Sequence, residues 1–257
     1  MARKRRPTRL PAPFLKRLSV IDGALEGADG YPFDLTWLRG GTFSLTFETP
    51  VTVIVGENGT GKSTLIEAIA ALSGYDQAGG GKGYSAVDHR GAREVNGGLL
   101  AGALRAAWLP KVTDGWFFRA ESFFSVARYL DAVGSTSADF LSMSHGEGFL
   151  RFFEERFQRQ GLYLMDEPES ALSPKRQLDL LRLLARIQRS AVAEVIVATH
   201  APILMAVPGA TVLELTRGDI REVDYRETSH FRLYRDFTVD PEAFVGDALA
   251  EGDPSEA

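Results

Sequence analysis

"VTVIVGENGTGKST", residues 51–64, decides how the rest of the chain is read. Its first five residues are a largely β-branched run, the pattern of a strand buried on both faces in a parallel sheet. The next nine, "GENGTGKST" (56–64), satisfy G-x-x-x-x-G-K-[ST] at every constrained position. In a chain of 257 residues such a match arises by chance on the order of once in a hundred. From about Ser63 to Ser73, Leu65, Ile66, Ile69 and Leu72 share one face of a helix that Gly74 stops. Strand, glycine-rich turn and helix in that order make a phosphate cradle. The glycines let the backbone wrap around phosphates, and successive N–H groups and the positive end of the helix point at them. Asn58, Gly59, Thr60, Gly61, Lys62, Ser63 and Thr64 are therefore the candidate nucleotide-binding residues, with Lys62 reaching the β/γ-phosphates and the Ser63 hydroxyl holding Mg2+.

A second stretch, "YLMDEPESALSP" (163–174), ends an apolar run in the adjacent carboxylates Asp166 and Glu167, then proline, then a third acid. Alone it reads as a solvated turn, because acids and proline commonly punctuate strand ends. Beside a phosphate cradle it reads differently. In an open α/β sheet, ligands gather at the carboxyl ends of the strands. The cradle ends strand 51–55, Asp166-Glu167 end strand 162–165, and Thr199-His200 end strand 194–198, so phosphate-, cation- and proton-handling groups share one rim. Asp166 suits the Mg2+ shell, Glu167 can orient or deprotonate an attacking water, and His200 can contact the γ-phosphate. Adjacent Asp and Glu with a histidine beyond fit water-directed hydrolysis better than phosphoryl transfer to an acceptor, as in a P-loop kinase.

In their order these motifs resemble those of ABC-type ATPases. "GENGTGKST" is similar to the Walker A of that family, "LYLMDEPES" to its Walker B with the catalytic glutamate, "SAL" (170–172) to its D-loop and His200 to its switch histidine. "SHGEG" (144–148) stands where the signature motif belongs, with His145 and Glu147 in place of the usual glycine and glutamine. It opens a helix of about 15 residues, roughly 22 Å long, that leads into Walker B. The resemblance implies ATP and Mg2+ as ligands and a head-to-tail homodimer. Ser144 and Gly146 of one subunit would cap the ATP on the Walker A of the other, and hydrolysis through Glu167 would release it. In place of the family's Q-loop stands "GWFFRAESFF" (115–124), whose Glu121 is the substitute Mg2+ or water contact. Tyr31 or Phe33 is the candidate for adenine stacking, with a place in the core or a loop as the alternative for both. The usual D-loop aspartate is replaced by Ser173.

"DEPES" followed by "ALSP" is closer to the soluble branch related to RecF and chromosome-maintenance ATPases than to transporter subunits, which usually read Asp-Glu-Pro-Thr-Ser. Long coiled-coil arms do not fit in the 80 residues between Ser63 and Ser144, which contain no heptads. The whole chain, including "FFRAESFF" and "TSHFRLYRDFTVDPEAFVGDAL", looks like small stand-alone bacterial ATPases of the AAA family. The leading expectation is a soluble switch ATPase with an unknown protein partner. The alternatives are a nucleic-acid-linked repair or defence ATPase and an ABC transporter ATP-binding subunit.

The bulk composition sets bounds on these readings. Net charge is −5, so no global basic field argues for nucleic acid. The basic residues Arg3, Lys4, Arg5, Arg6 and Arg9 open the chain without an apolar segment of signal-peptide length behind them; they read as a solvated arm that could touch nucleic acid. There is no cysteine, which rules out disulfides and thiolate metal sites and favours a cytoplasmic location. No uncharged apolar run is long enough to span a bilayer. The expected fold is α/β: a P-loop NTPase, ABC-ATPase-like, with a mainly parallel central sheet, an N-terminal antiparallel β subdomain and an inserted helical subdomain over about 84–160. Residues 1–13 and 250–257 are expected to be disordered tails around one domain, 14–249. Helical patches are expected near 98–108 and 121–133, and the glycine-rich "YDQAGGGKG" (75–83) reads as a connector.

Overall fold

The computed structural model describes residues 10–39, 42–77, 79–82, 96–112, 114–119 and 145–251. In chain order the strands are β1 (Leu15–Val20), β2 (Ser44–Thr46), β3 (Val51–Val55), β4 (Leu104–Trp108), β5 (Gly115–Arg119), β6 (Leu162–Asp166), β7 (Glu194–Ala198), β8 (Thr211–Leu215) and β9 (Ile220–Glu222). The helices are α1 (Lys62–Ser73), α2 (Asn96–Ala103), α3 (His145–Arg156), α4 (Pro174–Ser190), α5 (Pro202–Met205), α6 (Ser229–Val239) and α7 (Pro241–Glu251).

The β-branched run is the strand its pattern predicts: β3 is buried along its whole length. It sits inside a sheet of order β5-β6-β7-β3-β8-β9, parallel except for the terminal β8–β9 hairpin. Alternation along the strands divides the core in two. Val51, Val53, Val55, Tyr163, Met165, Val195 and Val197 face α3, α4 and α5. Ile54, Leu162, Leu164, Ile196, Ala198, Leu213 and Leu215 face α1 and a second, antiparallel sheet of order β2-β1-β4. The architecture is thus helices, parallel sheet, then α1 roofed by a small sheet, an α/β fold of the P-loop NTPase kind.

On the first face, aromatic rings interlock edge to face: Phe152 with Trp116, Phe118 with Phe153 and Phe157 with Tyr163 have centroids 5.2, 5.5 and 4.7 Å apart. Such pairs add about 1 kcal/mol each beyond the area they bury. They fasten α3, which the chain traverses just before β6, against the end of the sheet that leads to Asp166. On the way out, Ser173 caps α4 by accepting the Arg176 N–H, and Pro174 occupies the first helical position.

Three expectations need correction. The patch near 98–108 is helical only to Ala103; Leu104–Trp108 pair antiparallel with β1. Alanine and leucine favour a helix there, but the ladder to β1 and the burial of Leu104 outweigh that preference. The span 84–160 is therefore not wholly helical, because β4 belongs to the small sheet and β5 to the edge of the large one. The N-terminal arm ends sooner than residue 13: Ala12 is buried and its N–H donates to Ala191 O at 2.9 Å. In the 75–83 connector, Gly80 pairs with Phe117 through two backbone hydrogen bonds of 2.8 and 2.9 Å. The patch near 121–133 lies outside the described residues.

Candidate active site

Register brings the three strand ends together. Ile54 and Asp166 both lie opposite Ala198, so β3, β6 and β7 finish side by side. Past β3 the chain turns through Gly56 (φ 153°), Gly59 (φ 78°) and Gly61 (φ 95°) before α1 begins. A Cβ on Gly56 would lie 2.2 Å from Leu215 O, so only glycine lets the loop leave the sheet here. Thr60 is buried, and its hydroxyl donates to Glu57 O at 2.9 Å, while Asn58 and Gly59 face solvent at the crown of the loop. Lys62 Nζ curls back onto Gly56 O (2.7 Å) and Glu57 O (3.1 Å). Burial lowers its pKa, opposed by Glu167, Asp166 and Glu57.

Asp166 and Ser63 meet at the base of the loop, where Ser63 Oγ donates to Asp166 Oδ1 at 3.1 Å. Asp166 is 7% exposed. Burial raises its pKa, and Arg119 and Ser63 work in the other direction. A hydroxyl and a buried carboxylate with too little positive charge around it are the hard oxygen donors that Mg2+ takes, so the residues present fit that ion. Arg119, at the end of β5, stands 3.7 Å from Asp166 Oδ2 and bonds Glu67 Oε1 at 2.6 Å. It occupies the place at which the sequence pointed to a Q-loop substitute. Glu121 itself lies outside the described residues, as does Ser144; Gly146 is in the first turn of α3.

Glu167 follows with φ 48° and ψ 53°, a left-handed conformation that costs a non-glycine residue about 1 kcal/mol. The strain is held by backbone hydrogen bonds on both sides: Glu167 N–H donates to Ala198 O, and Ser170 N–H and Oγ donate to Glu167 O. The side chain is thereby turned out of the sheet and is 45% exposed at the rim, 3.5 Å from His200 Nε2. Burial is the main cause that lowers the His200 pKa, followed by the Lys62 charge, so the imidazole is neutral at pH 7. Glu169 explains the backbone position of His200: its Oε1 accepts the His200 N–H at 2.6 Å. Burial raises the Glu169 pKa as well.

The structure thus brings together Lys62, Ser63, Asp166, Glu167 and His200 at one rim. It also adds residues that no motif marks. Trp37 Nε1 donates to Thr60 O at 3.0 Å and so props the loop from the small-sheet side. The Tyr31 hydroxyl bonds the Thr64 hydroxyl while its ring is 46% exposed beside the loop, whereas Phe33 is partly buried. His230 contacts His200, Nε2 to Nδ1, at 2.9 Å. For Tyr31 the sequence offered a hint in its position upstream of the loop; for Trp37, Arg119 and His230 only the fold reveals the contact.

Fold and site together define a P-loop NTPase architecture with a phosphate loop on the rim of its sheet. Residues 36–98, from the turn at Trp37 to the start of α2, are similar to the family model of the AAA domain. No curated protein sequence matches the chain. Among solved structures, a protein described as a metal-chelate type ABC transporter in an inward-facing conformation is 19% identical (TM-score 0.48), covering 85% of this chain and 88% of that one. The SMC head domain from Thermotoga maritima is 15% identical (TM-score 0.43; 82% and 98% covered). CbiO1 from Clostridium perfringens, part of the ABC transporter complex cbiONQ, is also 15% identical (TM-score 0.44; 93% and 100% covered). The fold assignment rests on the strand order and the P-loop rather than on these likenesses. Among the described residues no helix is long and apolar enough to cross a membrane.

Proposed function

We propose that this protein hydrolyses Mg-ATP in a head-to-tail homodimer and works as a cytoplasmic molecular switch for a protein partner. The observation that carries the reading is the convergence of Ser63, Asp166, Glu167 and His200 on one rim beside the phosphate loop. The loop N–H groups and Lys62 bind the phosphates, and Tyr31 offers a face to the adenine. Ser63 and Asp166, with Glu121 as a further contact, would hold Mg2+, which would supply neutralisation of phosphate charge. Glu167 accepts a proton from the attacking water, and neutral His200 orients the γ-phosphate. Ser144 and Gly146 of the second subunit close over the nucleotide.

Glu167→Gln tests this directly. Phosphate release should fall about 100- to 1000-fold, since a positioned general base contributes on that order, and the variant should elute as a dimer with Mg-ATP. A variant that stays monomeric at saturating Mg-ATP removes the head-to-tail dimer; undiminished hydrolysis removes Glu167 as base.

A second reading, hydrolysis linked to nucleic acid, draws on one cavity. Between α3 and α4 a cleft of about 820 Å³ is lined by Arg151, Arg176, Arg182, Arg186 and Arg189 against only two acids. In a chain of net charge −5 this is a local positive site suited to phosphates. Hydrolysis stimulated by DNA or RNA, with stimulation falling steeply as salt rises, would favour it; salt-independent hydrolysis without stimulation would set it aside.

A further inference from the structure

We infer that His230 is a positioning residue that fixes which ring nitrogen of His200 carries the proton, presenting an Nε2–H to the γ-phosphate; this rests on the role proposed for His200. His230 lies in the first turn of α6. That turn is pinned by Thr228, which is fully buried and accepts the Phe231 N–H. The His230 ring is 12% exposed and tilted against that of His200, with centroids 5.0 Å apart. The 2.9 Å contact joins His230 Nε2 to His200 Nδ1. Between two neutral rings one nitrogen donates and the other accepts, so the direction of this bond sets both tautomers.

The carboxylates around the pair choose the direction. His200 Nε2 faces Glu167 Oε1 at 3.5 Å, and His230 Nε2 faces Glu57 Oε1 at 3.8 Å. If His200 donated from Nδ1, its Nε2 would turn a lone pair toward the Glu167 carboxylate. If His230 donates from Nε2, its single N–H is spent on His200 Nδ1, with Glu57 nearby, and His200 turns an Nε2–H toward Glu167; His230 Nδ1 is left to accept from Ser229 Oγ at 3.4 Å. Only the second arrangement is attractive toward Glu167. It also accounts for His200 Nε2, a buried atom with no hydrogen-bond partner. An N–H held at that position is a donor waiting for a phosphate oxygen, whereas a lone pair there would repel one. The closest bond of His230 within the site is the one to His200, with Glu57 of the loop further off at 3.8 Å.

The test is 15N NMR of the full chain with labelled histidine, assigned by a His200→Ala variant, alongside steady-state kinetics. Wild-type His200 should be protonated at Nε2 and His230→Ala should give a mixture of tautomers. His230→Gln, whose amide N–H can take the place of Nε2–H, should restore the wild-type form. In kinetics His230→Ala should lower kcat about 10- to 100-fold with KM for ATP changed less than about 2-fold, within the range for losing proton-handling geometry. The glutamine variant should recover most of kcat. Adding His230→Ala to His200→Ala should cost little further. His200 protonated at Nδ1 in the wild type, an unchanged tautomer in His230→Ala, or an unchanged kcat would each overturn the inference. A wild-type chain that binds Mg-ATP without hydrolysing it would instead overturn the proposed function, and the NMR result would still judge His230 by itself.

Discussion

Asp166 and Glu194 are carboxylates on neighbouring parallel strands, one at the carboxyl end of β6 and the other at the amino end of β7. They are 7% and 1% exposed, and burial raises the pKa of both. What separates them is the company each keeps. Asp166 has the hydroxyl of Ser63 and the guanidinium of Arg119 beside it and an open phosphate loop above. Glu194 accepts the backbone N–H groups of Phe14 (2.7 Å) and Leu15 (2.9 Å) through one oxygen, stapling the start of β1 to the sheet, while its other oxygen is buried without a partner. A buried acid thus stands beside the phosphate loop at one end of the sheet and is a structural clasp at the other. Residue type and burial do not distinguish them; surrounding cations and access to a ligand do.

The contrast can be broken most forcefully at Asp166. Asp166→Asn should reduce Mg2+-dependent phosphate release by about 1000-fold or more, because the ion's share of transition-state stabilisation is several kcal/mol. Thermal stability should hold or rise, since the variant no longer buries a charge. Parallel loss of folding would show that Asp166, too, is a clasp.

At the other end, Glu194→Gln should leave hydrolysis within about 2-fold, because Glu194 contacts no site residue. Its signature is in stability against pH. The Glu194 pKa rises from 4.5 to about 7 on folding. The native state therefore holds the proton more tightly than the unfolded chain, so this contribution is fully present below pH 4.5 and is lost as pH rises through about 7. The shift corresponds to a loss on the order of 3 kcal/mol at most. Urea unfolding from pH 5 to pH 8 should show the glutamine variant with a flatter profile than the wild type; identical profiles would remove the titration from Glu194.

The smallest expected effect concerns support for the rim. Trp37→Phe keeps the packing against Phe43, 5.0 Å away, and deletes the donor to Thr60 O. About 1 kcal/mol of stability should go with that bond, and KM for ATP should rise a few-fold as the loop loses its prop. An unaltered KM would mean that the glycines and α1 hold the loop without it.

Different parts of the molecule were legible in the sequence to different degrees. β3, the phosphate loop and α1 are written contiguously, so pattern and motif coincide and the structure follows them almost residue for residue. Asp166, Glu167 and His200 could be placed because each stands at or just beyond the end of an apolar strand, and parallel topology forces such positions onto one rim. The segment at 104–108 misled because its composition suits a helix, and only pairing with β1 makes it a strand. Glu169 was legible as a third acid, but not as the acceptor that seats the His200 backbone across 31 positions of sequence.

Local sequence was enough to mark a loop for phosphates, a carboxylate pair and a histidine, each specified by neighbours within a few residues. Tertiary structure alone decided which buried acid is a clasp, that Trp37 and Arg119 support the loop and Asp166, and that His230 reaches His200 from 30 positions away. The physical reason is range. Backbone conformation and periodicity are fixed by local sterics and burial, whereas the pKa of a carboxylate and the tautomer of an imidazole depend on groups within a few ångströms in space, wherever they lie along the chain.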